Sequence, residues 1–481
     1  MALLVGNVLR HAARAAPDRL AATLADEHLT FGELDGRANR VAHTLAARGV
    51  GPGDRVAWWG DTSLEALPVF FALAKLGAVF APVNARLGPT EAAEVAGYAR
   101  PRLLVVDDER AEPARELDLP TLSHADLAQA ATRASSDDVE APALDERDPH
   151  VIFFTSGSTG RPKGVVLSHR ANCLRTWPQL AAPTEGGLVC MFPLFHMAGW
   201  TLALGCWQAR RPIHFVRVPD AEALVSTVTR RQATRIYLIP AVWARVLEHG
   251  GAADALSSLR EADTGTSATP PELVAAIRDA LPHTVTRIFY GSTEAGAGTV
   301  LAHDDLLRKP GSVGLPQAGV DVRLTDEGEV CVRSELLMDK YFEQPDETAT
   351  ALHDGWYHTG DLGALDDEGY LSIVGRARDV IRTGGETVAP GEVEAVLAGH
   401  PDVAEVAVVG VPDSQWGEVV CAVVVAAPGA SVDVDGLRAH CGGRLAGFKQ
   451  PRRVALADAL PRTPATGQVQ RTLLVERLLA E

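Results

Sequence analysis

The stretch FFTSGSTGRPKGVVLSH, residues 153–169, is the part of the sequence that decides the fold. An apolar β-strand passes into a loop of glycine, serine and threonine, and a lysine closes the loop. Glycine lets the backbone approach an anion closely, and hydroxyl groups together with backbone amides bind phosphate oxygens. The stretch lacks the G-x-x-x-x-G-K-[ST] spacing, which excludes the common P-loop; a flexible Gly/Ser loop is the alternative. We predict a phosphate-binding loop with the candidate ligands Thr155, Ser156, Gly157, Ser158, Thr159, Gly160 and Lys163.

Strand-like and helical segments alternate along the chain. The strand-like runs RVAWWG, AVFAPVN and RLLVVDD end in turn residues, and helical patterns lie between such runs, for example over 30–49 and 63–77. This alternation predicts α/β layers. After residue 376, strand-like runs at 404–412 and 418–429 alternate with a helical segment at 434–447. We therefore predict an N-terminal domain over 1–376 and a small α+β domain over 377–481.

Composition excludes several classes of protein. The net charge of −17 disfavours binding to nucleic acid, because phosphates would be repelled. The six cysteines are irregularly spaced without a C-x-x-C pair, which argues against a zinc site or a disulfide framework and fits a reducing cytoplasm. The N-terminus predicts an amphipathic helix, and no run approaches about 18 apolar residues, so we expect no membrane span.

The phosphate loop is one of eight ordered motifs that resemble the adenylate-forming superfamily of acyl-CoA synthetases, peptide-synthetase adenylation domains and luciferases. The resemblance implies that family's fold: a large multi-subdomain α/β N-terminal domain and a smaller, mobile α+β C-terminal domain. It also implies two steps, in which a carboxylate attacks ATP with Mg²⁺ present and CoA then displaces AMP from the acyl-AMP. The other motifs lie at 29–42, 73–84, 193–199, 290–296, 356–363, 375–394 and 461–468.

The resemblance assigns residues to the nucleotide and the metal. It implies that Thr293 lies near the α-phosphate, that Lys163 adds positive charge, and that Glu294, with Thr155, binds Mg²⁺. Oxygen ligands suit that hard cation. The residues that it places beside adenine and ribose are Ser267, Ala268, Tyr290, Gly291, Ser292, Asp361 and Arg376.

A second group of residues is assigned to the acyl group and to CoA. Thr266 stands where the family has the second glycine of its S-G-G-A-P-L loop, so either acyl specificity or nucleotide fit is altered. Arg378 occupies the hinge position about which the C-terminal domain rotates between the two steps. The acyl-site candidates are His196, Trp200, Trp243, Gly265 and Thr266, and the CoA-site candidates are Gly384, Gly385, Glu386 and Lys449. The tryptophans suggest an apolar acid, although large aromatics are also common in cores.

Gln468 stands where the family has a catalytic lysine. That lysine places positive charge between two anions, the carboxylate and the phosphate, whereas glutamine carries no charge. Three explanations are open: specialisation for acyl-AMP plus CoA, a full two-step ligase in which Arg471 or Lys449 replaces the lysine, or a deliberate replacement. We predict an enzyme that is weak in adenylation and competent in thioester formation.

Other functions remain as alternatives. They are an adenylation enzyme that acylates a carrier protein, a luciferase-like oxygenase, and a non-catalytic protein that binds acyl-adenylate. The expected ligands are ATP or acyl-AMP, CoA and Mg²⁺, with a small carboxylic acid as substrate. We expect a cytoplasmic protein without nucleic-acid partners. A homodimer is the default oligomer, and a separate adenylating enzyme is a candidate partner.

Overall fold

The structure is a computed structural model that describes residues 2–139, 143–155, 162–176, 186–383, 386–463 and 467–480. The described chain forms two compact units. The first contains Met1–Arg308, Pro316–Asp321 and Arg333–Tyr357; the second contains Lys309–Leu315, Val322–Val332 and His358–Glu481. The second unit thus includes segments that precede residue 376. The boundary between residues 376 and 377 stays a prediction.

Helices of the described chain flank its sheets. Many begin at a recognisable start signal: α2 has a complete capping box between Thr30 and Glu33, and α4, α9 and α11 carry proline in their first turn. The helices are α1 (Val5–Ala15), α2 (Phe31–Ala47), α3 (Ala66–Leu76), α4 (Pro89–Tyr98), α5 (His124–Ala131), α6 (His169–Thr176), α7 (Met197–Gln208), α8 (Ala221–Arg231), α9 (Pro240–Glu248), α10 (Ala252–Ala255), α11 (Pro271–Ala280), α12 (Pro345–Ala351), α13 (Pro390–Leu397), α14 (Val434–Cys441) and α15 (Arg471–Ala480).

The strands range in length from two to eleven residues. They are β1 (Leu20–Leu24), β2 (Glu27–Thr30), β3 (Arg55–Trp59), β4 (Val79–Val83), β5 (Leu103–Val106), β6 (Thr121–Ser123), β7 (Pro149–Thr155), β8 (Lys163–Ser168), β9 (Leu188–Cys190), β10 (Ile213–Phe215), β11 (Arg235–Tyr237), β12 (Glu261–Gly265), β13 (Val285–Ser292), β14 (Gly296–Leu301), β15 (Leu315–Pro316), β16 (Val320–Leu324), β17 (Glu329–Ser334), β18 (Lys340–Tyr341), β19 (Leu352–His353), β20 (Trp356–Leu365), β21 (Leu371–Arg376), β22 (Ile381–Thr383), β23 (Glu386–Val388), β24 (Val403–Asp413), β25 (Gly417–Ala426) and β26 (Arg453–Leu456).

Two largely parallel sheets form the framework of the first unit. Over the described residues, one has the order β15-β14-β13-β12-β11-β9-β10-β1-β2 and the other β18-β8-β7-β4-β3-β5-β6. The predicted strands RVAWWG, AVFAPVN and RLLVVDD are β3, β4 and β5, which pair in parallel. All five residues of β4 are buried, and so is the whole of α3. Parallel strands covered on both faces require such continuous apolar runs, so the predicted α/β class is confirmed.

The second unit contains an antiparallel pair with its own core. β24 and β25 form a long ladder, β26 lies parallel to β25, and α13 and α14 pack beside them. The predicted helix over 434–447 is shorter than expected and ends at Cys441, because Gly442 and Gly443 follow and glycine is a poor helix former. A further sheet of the described chain has the order β16-β17-β20-β19, with β21 beside β20.

Two expectations about the whole chain can be compared with the structure. None of the helices within the described ranges has the length and apolar character that crossing a membrane requires. All six cysteines are buried and free of disulfide bonds. Buried free cysteines behave as small apolar side chains, which agrees with their irregular spacing in the sequence.

Candidate active site

The β7–β8 hairpin carries the ends of the predicted phosphate loop. Thr155, the last residue of β7, is the register partner of Lys163, the first residue of β8. Its hydroxyl donates to the Lys163 carbonyl oxygen at 3.5 Å. The predicted ligands Ser156, Gly157, Ser158, Thr159 and Gly160 lie outside the described residues. The hairpin therefore holds the two described candidates of this loop directly opposite each other.

The predicted adenine and metal residues lie where β13 turns into β14. A Cβ on Gly291 would lie only 2.1 Å from the Gly296 carbonyl oxygen, so this close pairing requires glycine. After the strand, the Ser292 hydroxyl accepts a hydrogen bond from the Ala295 amide at 3.0 Å. Thr293 and Glu294 occupy this tight turn, which fixes the direction of their side chains.

Arg175 supports the turn from below, and the sequence analysis did not identify it. Its Nη1 and Nη2 atoms donate to the carbonyl oxygens of Thr293 and Glu294, each at 2.8 Å. Its Nε donates to the Leu336 carbonyl oxygen at 2.7 Å. Burial lowers the pKa of Arg175 to about 10, so it is still a cation at neutral pH. A buried cation thus lies beneath the turn that carries the predicted metal ligand.

Glu294 and Lys163 both contact Tyr341, another residue that the sequence analysis missed. The Tyr341 hydroxyl donates to Glu294 Oε1 at 3.0 Å, and the Lys163 ammonium lies 4.7 Å from the centre of the Tyr341 ring. A hydrogen bond also joins the hydroxyls of Tyr341 and Tyr357. Burial, with the charge of Glu294, raises the pKa of both tyrosines. The carboxylate that would bind Mg²⁺ therefore has a fixed position, and its oxygen chemistry fits that cation.

The predicted acyl loop follows β12, which is parallel to β13. Gly265 is opposite Phe289 in the ladder, so the loop containing Ser267 and Ala268 begins at the carboxyl ends of two neighbouring strands. Ligand sites of open α/β sheets lie at this edge. A Cβ on Gly265 would lie 2.2 Å from the Phe289 carbonyl oxygen. The structure thus brings the start of the predicted acyl loop beside the strand that carries Tyr290.

Thr266 has an unusual backbone conformation. Its φ is +67°, in the left-handed region that favours glycine. Its hydroxyl donates to the Gly265 carbonyl oxygen at 2.5 Å. A β-branched residue in this region is strained. Thr266 therefore has a backbone conformation that suits glycine, the residue that the resemblance implies at this position.

His196 belongs to a chain of aromatic contacts that reaches the acyl loop. Its ring centre is 6.0 Å from that of Phe192, which is 5.4 Å from Tyr237, which in turn is 6.0 Å from Phe289. The His196 Nδ1 accepts from the Ala198 amide at the start of α7. Desolvation lowers the pKa of His196 to about 4, although part of the residue is accessible. The imidazole is therefore neutral at physiological pH and suited to positioning an apolar group.

The two predicted acyl-site tryptophans are part of the core. Trp200 stacks on Phe70 with ring centres 4.0 Å apart, and its indole N–H donates to the Leu194 carbonyl oxygen at 2.6 Å. The Trp243 N–H donates to the Asp263 carbonyl oxygen at 3.0 Å. Both side chains are fully buried. These contacts favour structural roles, and acyl binding by either tryptophan stays a prediction.

A buried ion-pair cluster lies on the strands that lead to the acyl loop. Asp263 on β12 is fully buried and accepts from Arg235 Nη2 at 3.0 Å and from Arg287 Nε at 2.8 Å. Glu261, two residues earlier on the same strand, also pairs with both arginines. Burial alone lowers the pKa of Arg287, but the charge of Asp263 more than offsets this effect and raises it. Ion pairs between these arginines and carboxylates thus stabilise the register of β11, β12 and β13.

In the second unit, the predicted ribose ligands lie opposite each other. Asp361 on β20 is the register partner of Arg376 on β21, and Arg376 Nε lies 2.7 Å from Asp361 Oδ1. Asp361 is buried, whereas the Arg376 side chain is 40% exposed. The two residues form an ion pair, and their binding to ribose stays a prediction.

The described candidates for CoA binding and for the hinge lie in the second unit, where they are exposed or paired with a charged side chain. The Lys449 ammonium pairs with the Glu392 carboxylate. Glu386 begins β23 and is exposed, and Arg378 is a largely exposed residue whose Nε lies 3.5 Å from Asp379 Oδ1. Gly384 and Gly385 lie outside the described residues. The roles of all five residues stay predictions.

The backbone of Gln468 is hydrogen-bonded to Thr463. Its amide donates to the Thr463 hydroxyl at 3.1 Å, and its carbonyl oxygen accepts from the Thr463 amide at 2.7 Å. Arg462 Nη1 donates to the Gly467 carbonyl oxygen at 2.9 Å. Backbone hydrogen bonds thus connect Gln468 and Gly467 to residues 462 and 463.

Arg471, which the sequence analysis considered as a replacement for the family's lysine, is paired. Its Nη2 donates to both carboxylate oxygens of Glu394, at 2.7 and 2.9 Å, and Nη1 lies 3.5 Å from Asp379 Oδ2. Hydrogen bonds between two ionised groups are roughly twice as strong as bonds between neutral groups. Lys449, the other candidate, is paired with Glu392. Neither cation is available without breaking an ion pair.

Comparison with known proteins identifies the class of this protein. Residues 9–342 match the AMP-binding enzyme family, and residues 392–466 match the family described as the AMP-binding enzyme C-terminal domain. The chain belongs to this adenylate-forming family and, within it, to the acyl-CoA synthetase type. The predicted family and fold are therefore confirmed.

Several known proteins are similar to this chain over nearly its whole length. A long-chain-fatty-acid–CoA ligase of Mycobacterium tuberculosis is 34% identical, with 99% of each chain covered. A feruloyl-CoA synthase of Amycolatopsis sp. is 36% identical, with 94% of each covered. The structure of ATP-bound MatB from Rhodopseudomonas palustris has a TM-score of 0.89 and 30% identity, with 99% of each chain covered.

Proposed function

We propose that the protein makes an acyl-CoA thioester from an apolar carboxylic acid through acyl-AMP, and that it is specialised for the second half-reaction. In that half-reaction the CoA sulfur attacks the acyl carbonyl carbon and AMP leaves, which gives acyl-CoA. ATP, Mg²⁺ and CoA are the ligands that this chemistry needs. The observation that carries the specialisation is Gln468 at the lysine position, with Arg471 and Lys449 both held by carboxylates.

The charge difference explains why the first half-reaction is weak. Adenylation brings a carboxylate against the α-phosphate, and negative charge builds up on both. A preorganised cation stabilises this transition state, whereas the Gln468 amide supplies only a dipole. Thioester formation starts from acyl-AMP, a mixed anhydride, in which the carboxylate is already joined to the phosphate and no longer carries a negative charge. The loss of the lysine therefore affects the first step far more than the second.

The remaining residues support retention of nucleotide chemistry. Glu294 is held by Tyr341, and its turn is held by Arg175, so a metal ligand in this position needs no reorganisation. Lys163 lies at the end of the same hairpin as Thr155 and supplies positive charge for phosphate. A protein that only binds acyl-AMP would not convert it to acyl-CoA. Supplying acyl-AMP together with CoA therefore separates this alternative from an enzyme.

Two parallel assays on the unaltered protein test the proposal. One supplies free carboxylic acids, including fatty and cinnamic-type acids, with ATP, Mg²⁺ and CoA. The other supplies the matching acyl-adenylates with CoA alone. We expect acyl-CoA formation from the adenylates to be at least about 100-fold faster, since the missing preorganised cation affects only the first arm.

The possible outcomes have distinct meanings. Equal rates in both arms would contradict the specialisation and leave an ordinary two-step ligase. Binding of acyl-AMP without product would instead favour a non-catalytic adenylate-binding protein. Acylation of a carrier protein but not of CoA would favour the carrier-protein alternative.

We further propose that Thr266 narrows the acyl site. Gly265 borders Tyr237 and Phe289, which are joined through Phe192 to His196, so the loop lies beside this aromatic set. Replacement Thr266→Gly removes three heavy atoms and relieves the left-handed strain. We expect kcat/KM for acyl-adenylates with a bulkier acyl group to rise by about 10–200-fold, the usual range for a change of this size in an apolar pocket.

Thr269→Gly is the matched control for this prediction. Thr269 belongs to the same loop, its hydroxyl donates to the Ser267 carbonyl oxygen, and it is not among the positive-φ residues. We expect the control to leave the acyl preference unchanged. If Thr266→Gly altered AMP affinity without altering acyl preference, position 266 would act on the nucleotide instead.

A further inference from the structure

Three side chains of the second unit converge on one face of two neighbouring strands. Glu329 and Cys331 are two residues apart on β17 and therefore point to the same face. His358 is on the adjacent strand β20. A carboxylate oxygen, the Cys331 Sγ and an imidazole nitrogen of these residues all lie within 4.8 Å of one another. Such convergence of three different donor types on one point is a feature of metal sites.

We propose that Glu329, Cys331 and His358 form a binding site for a borderline-soft divalent cation, of which Zn²⁺ is the representative. Thiolate, imidazole and carboxylate are the donors that zinc accepts, and sites with three protein ligands keep a fourth position for water. Nothing in the proposed acyl transfer uses these three side chains. The site is separate from the predicted Mg²⁺ ligand Glu294.

The distances fit tetrahedral coordination. His358 Nδ1 lies 3.0 Å from Glu329 Oε2 and 3.4 Å from Cys331 Sγ. Ligand bonds of about 2.0–2.3 Å in a tetrahedron separate neighbouring ligand atoms by roughly 3.3–3.8 Å. The two separations that involve Nδ1 need to change by only a few tenths of an ångström, and the third, between Sγ and the carboxylate oxygen, is at most 4.8 Å. Nδ1 is the ligating nitrogen, because it is the ring atom that faces both other donors.

Metal binding exchanges protons for coordinate bonds. In the metal-free protein, burial, with the charge of Glu329, raises the pKa of Cys331, so the side chain is a thiol. Bonds from the metal to Sγ, Nδ1 and Oε2 form as the thiol proton leaves to solvent, and the imidazole keeps one proton on Nε2. Affinity should therefore fall as the pH falls, as for other thiolate sites.

The site is joined to the part of β20 that carries Asp361. The second oxygen of Glu329, Oε1, accepts from the Gly360 amide at 2.9 Å. The Thr359 hydroxyl donates to the Val330 carbonyl oxygen at 2.7 Å and accepts from the Asp361 amide at 3.0 Å. Metal binding would thus reinforce an existing connection between β17 and residues 359–361, and it should raise the melting temperature.

The first test uses Co²⁺ as a spectroscopic substitute for zinc. Metal-free, reduced full-length protein is titrated with Co²⁺, and thiolate-to-cobalt charge-transfer absorption is recorded. We expect one equivalent to give this absorption, and Zn²⁺ to displace it. Cys331→Ala and His358→Gln should remove the absorption and weaken Zn²⁺ binding by more than about 100-fold, since even the loss of an outer partner costs 10–100-fold.

Cys421→Ala is the matched control. Cys421 is also a buried cysteine on a strand of the second unit, and it belongs to the β24–β25 core. We expect this variant to bind Co²⁺ as the unaltered protein does. Charge-transfer absorption that persists in Cys331→Ala, or that disappears in Cys421→Ala, would overturn the proposal.

A second measurement does not depend on how the variants fold. X-ray absorption by the zinc-loaded unaltered protein should give one sulfur at about 2.3 Å and nitrogen or oxygen ligands at about 2.0–2.2 Å. A first shell without sulfur would mean adventitious surface binding and would overturn the proposal. Neither measurement involves ATP or CoA, so failure of the proposed enzyme function would leave the result intact.

Discussion

Gln468→Lys is expected to raise the rate of ATP-dependent acyl-AMP formation by about 10²–10³-fold. The substitution restores a cation where the transition state crowds two anions, and one preorganised electrostatic contact typically contributes that factor. The backbone of the turn is held by Thr463 and by Arg462, so the longer side chain should not disturb it. Pyrophosphate release with acid, ATP and Mg²⁺ measures this step directly.

Gln470→Lys serves as the control for this prediction. It introduces the same charge at another exposed glutamine two residues away in the chain. We expect it to leave adenylation unchanged. The rate from acyl-AMP and CoA should change little in Gln468→Lys, because the restored cation acts in the other step.

Failure of Gln468→Lys to increase pyrophosphate release would contradict our interpretation of position 468. If the unaltered protein already adenylates at a rate typical of ligases, about 1–10³ s⁻¹, another group supplies the charge. Arg471→Met would then identify that group. In that case it should reduce adenylation as well as breaking the pair with Glu394.

Asp263→Asn is expected to reduce the free energy of unfolding by about 3–5 kcal/mol. The side chain is fully buried and accepts from both Arg235 and Arg287. Removing its charge leaves two partly buried guanidinium groups with Glu261 as their remaining carboxylate partner in the cluster. Breaking a buried pair from one side leaves uncompensated charge in a medium that solvates it poorly. Denaturant unfolding of the full-length protein measures the change.

Asp321→Asn is the matched control, since it makes the same chemical change in the same unit. Asp321 pairs with Arg333 at 2.8 Å, but the two side chains are 61% and 56% exposed. Water screens such a pair, and we expect a loss below about 1 kcal/mol. Equal losses in the two variants would mean that burial does not strengthen the Asp263 pairs.

Much of the framework was predictable from the sequence because local patterns encode it. The runs that became β3, β4 and β5 are continuously apolar and end in turn residues, so their strand character needs no knowledge of distant partners. The same holds for α2, whose capping box is contained within four residues. The glycine pattern of the phosphate loop and of the 290–296 turn likewise has a local cause.

Other parts of the candidate site were hidden because their partners are far apart in the chain. Arg175 bonds to carbonyl oxygens more than a hundred residues away, and no motif distinguishes it from a surface arginine. Tyr341 bonds to Glu294, which is 47 residues away in the chain, and no sequence motif connects the two residues either. Cys331 and His358 are 27 residues apart, and the third donor of the group is the carboxylate of Glu329. The spacing of the cysteines alone therefore does not reveal this group.

The sequence by itself determined the family and much of the order of strands and helices, and it predicts that Gln468 stands at the family's lysine position, since these are properties of residue identity and local periodicity. Only the tertiary structure decided that Arg471 and Lys449 are paired with carboxylates, that Thr266 has a glycine-like backbone conformation, and that three donors meet beside the part of β20 that carries Asp361. Charge pairing and coordination depend on separations of a few ångströms between atoms. Those separations are set by strand register and packing, which bring together residues that the chain keeps apart.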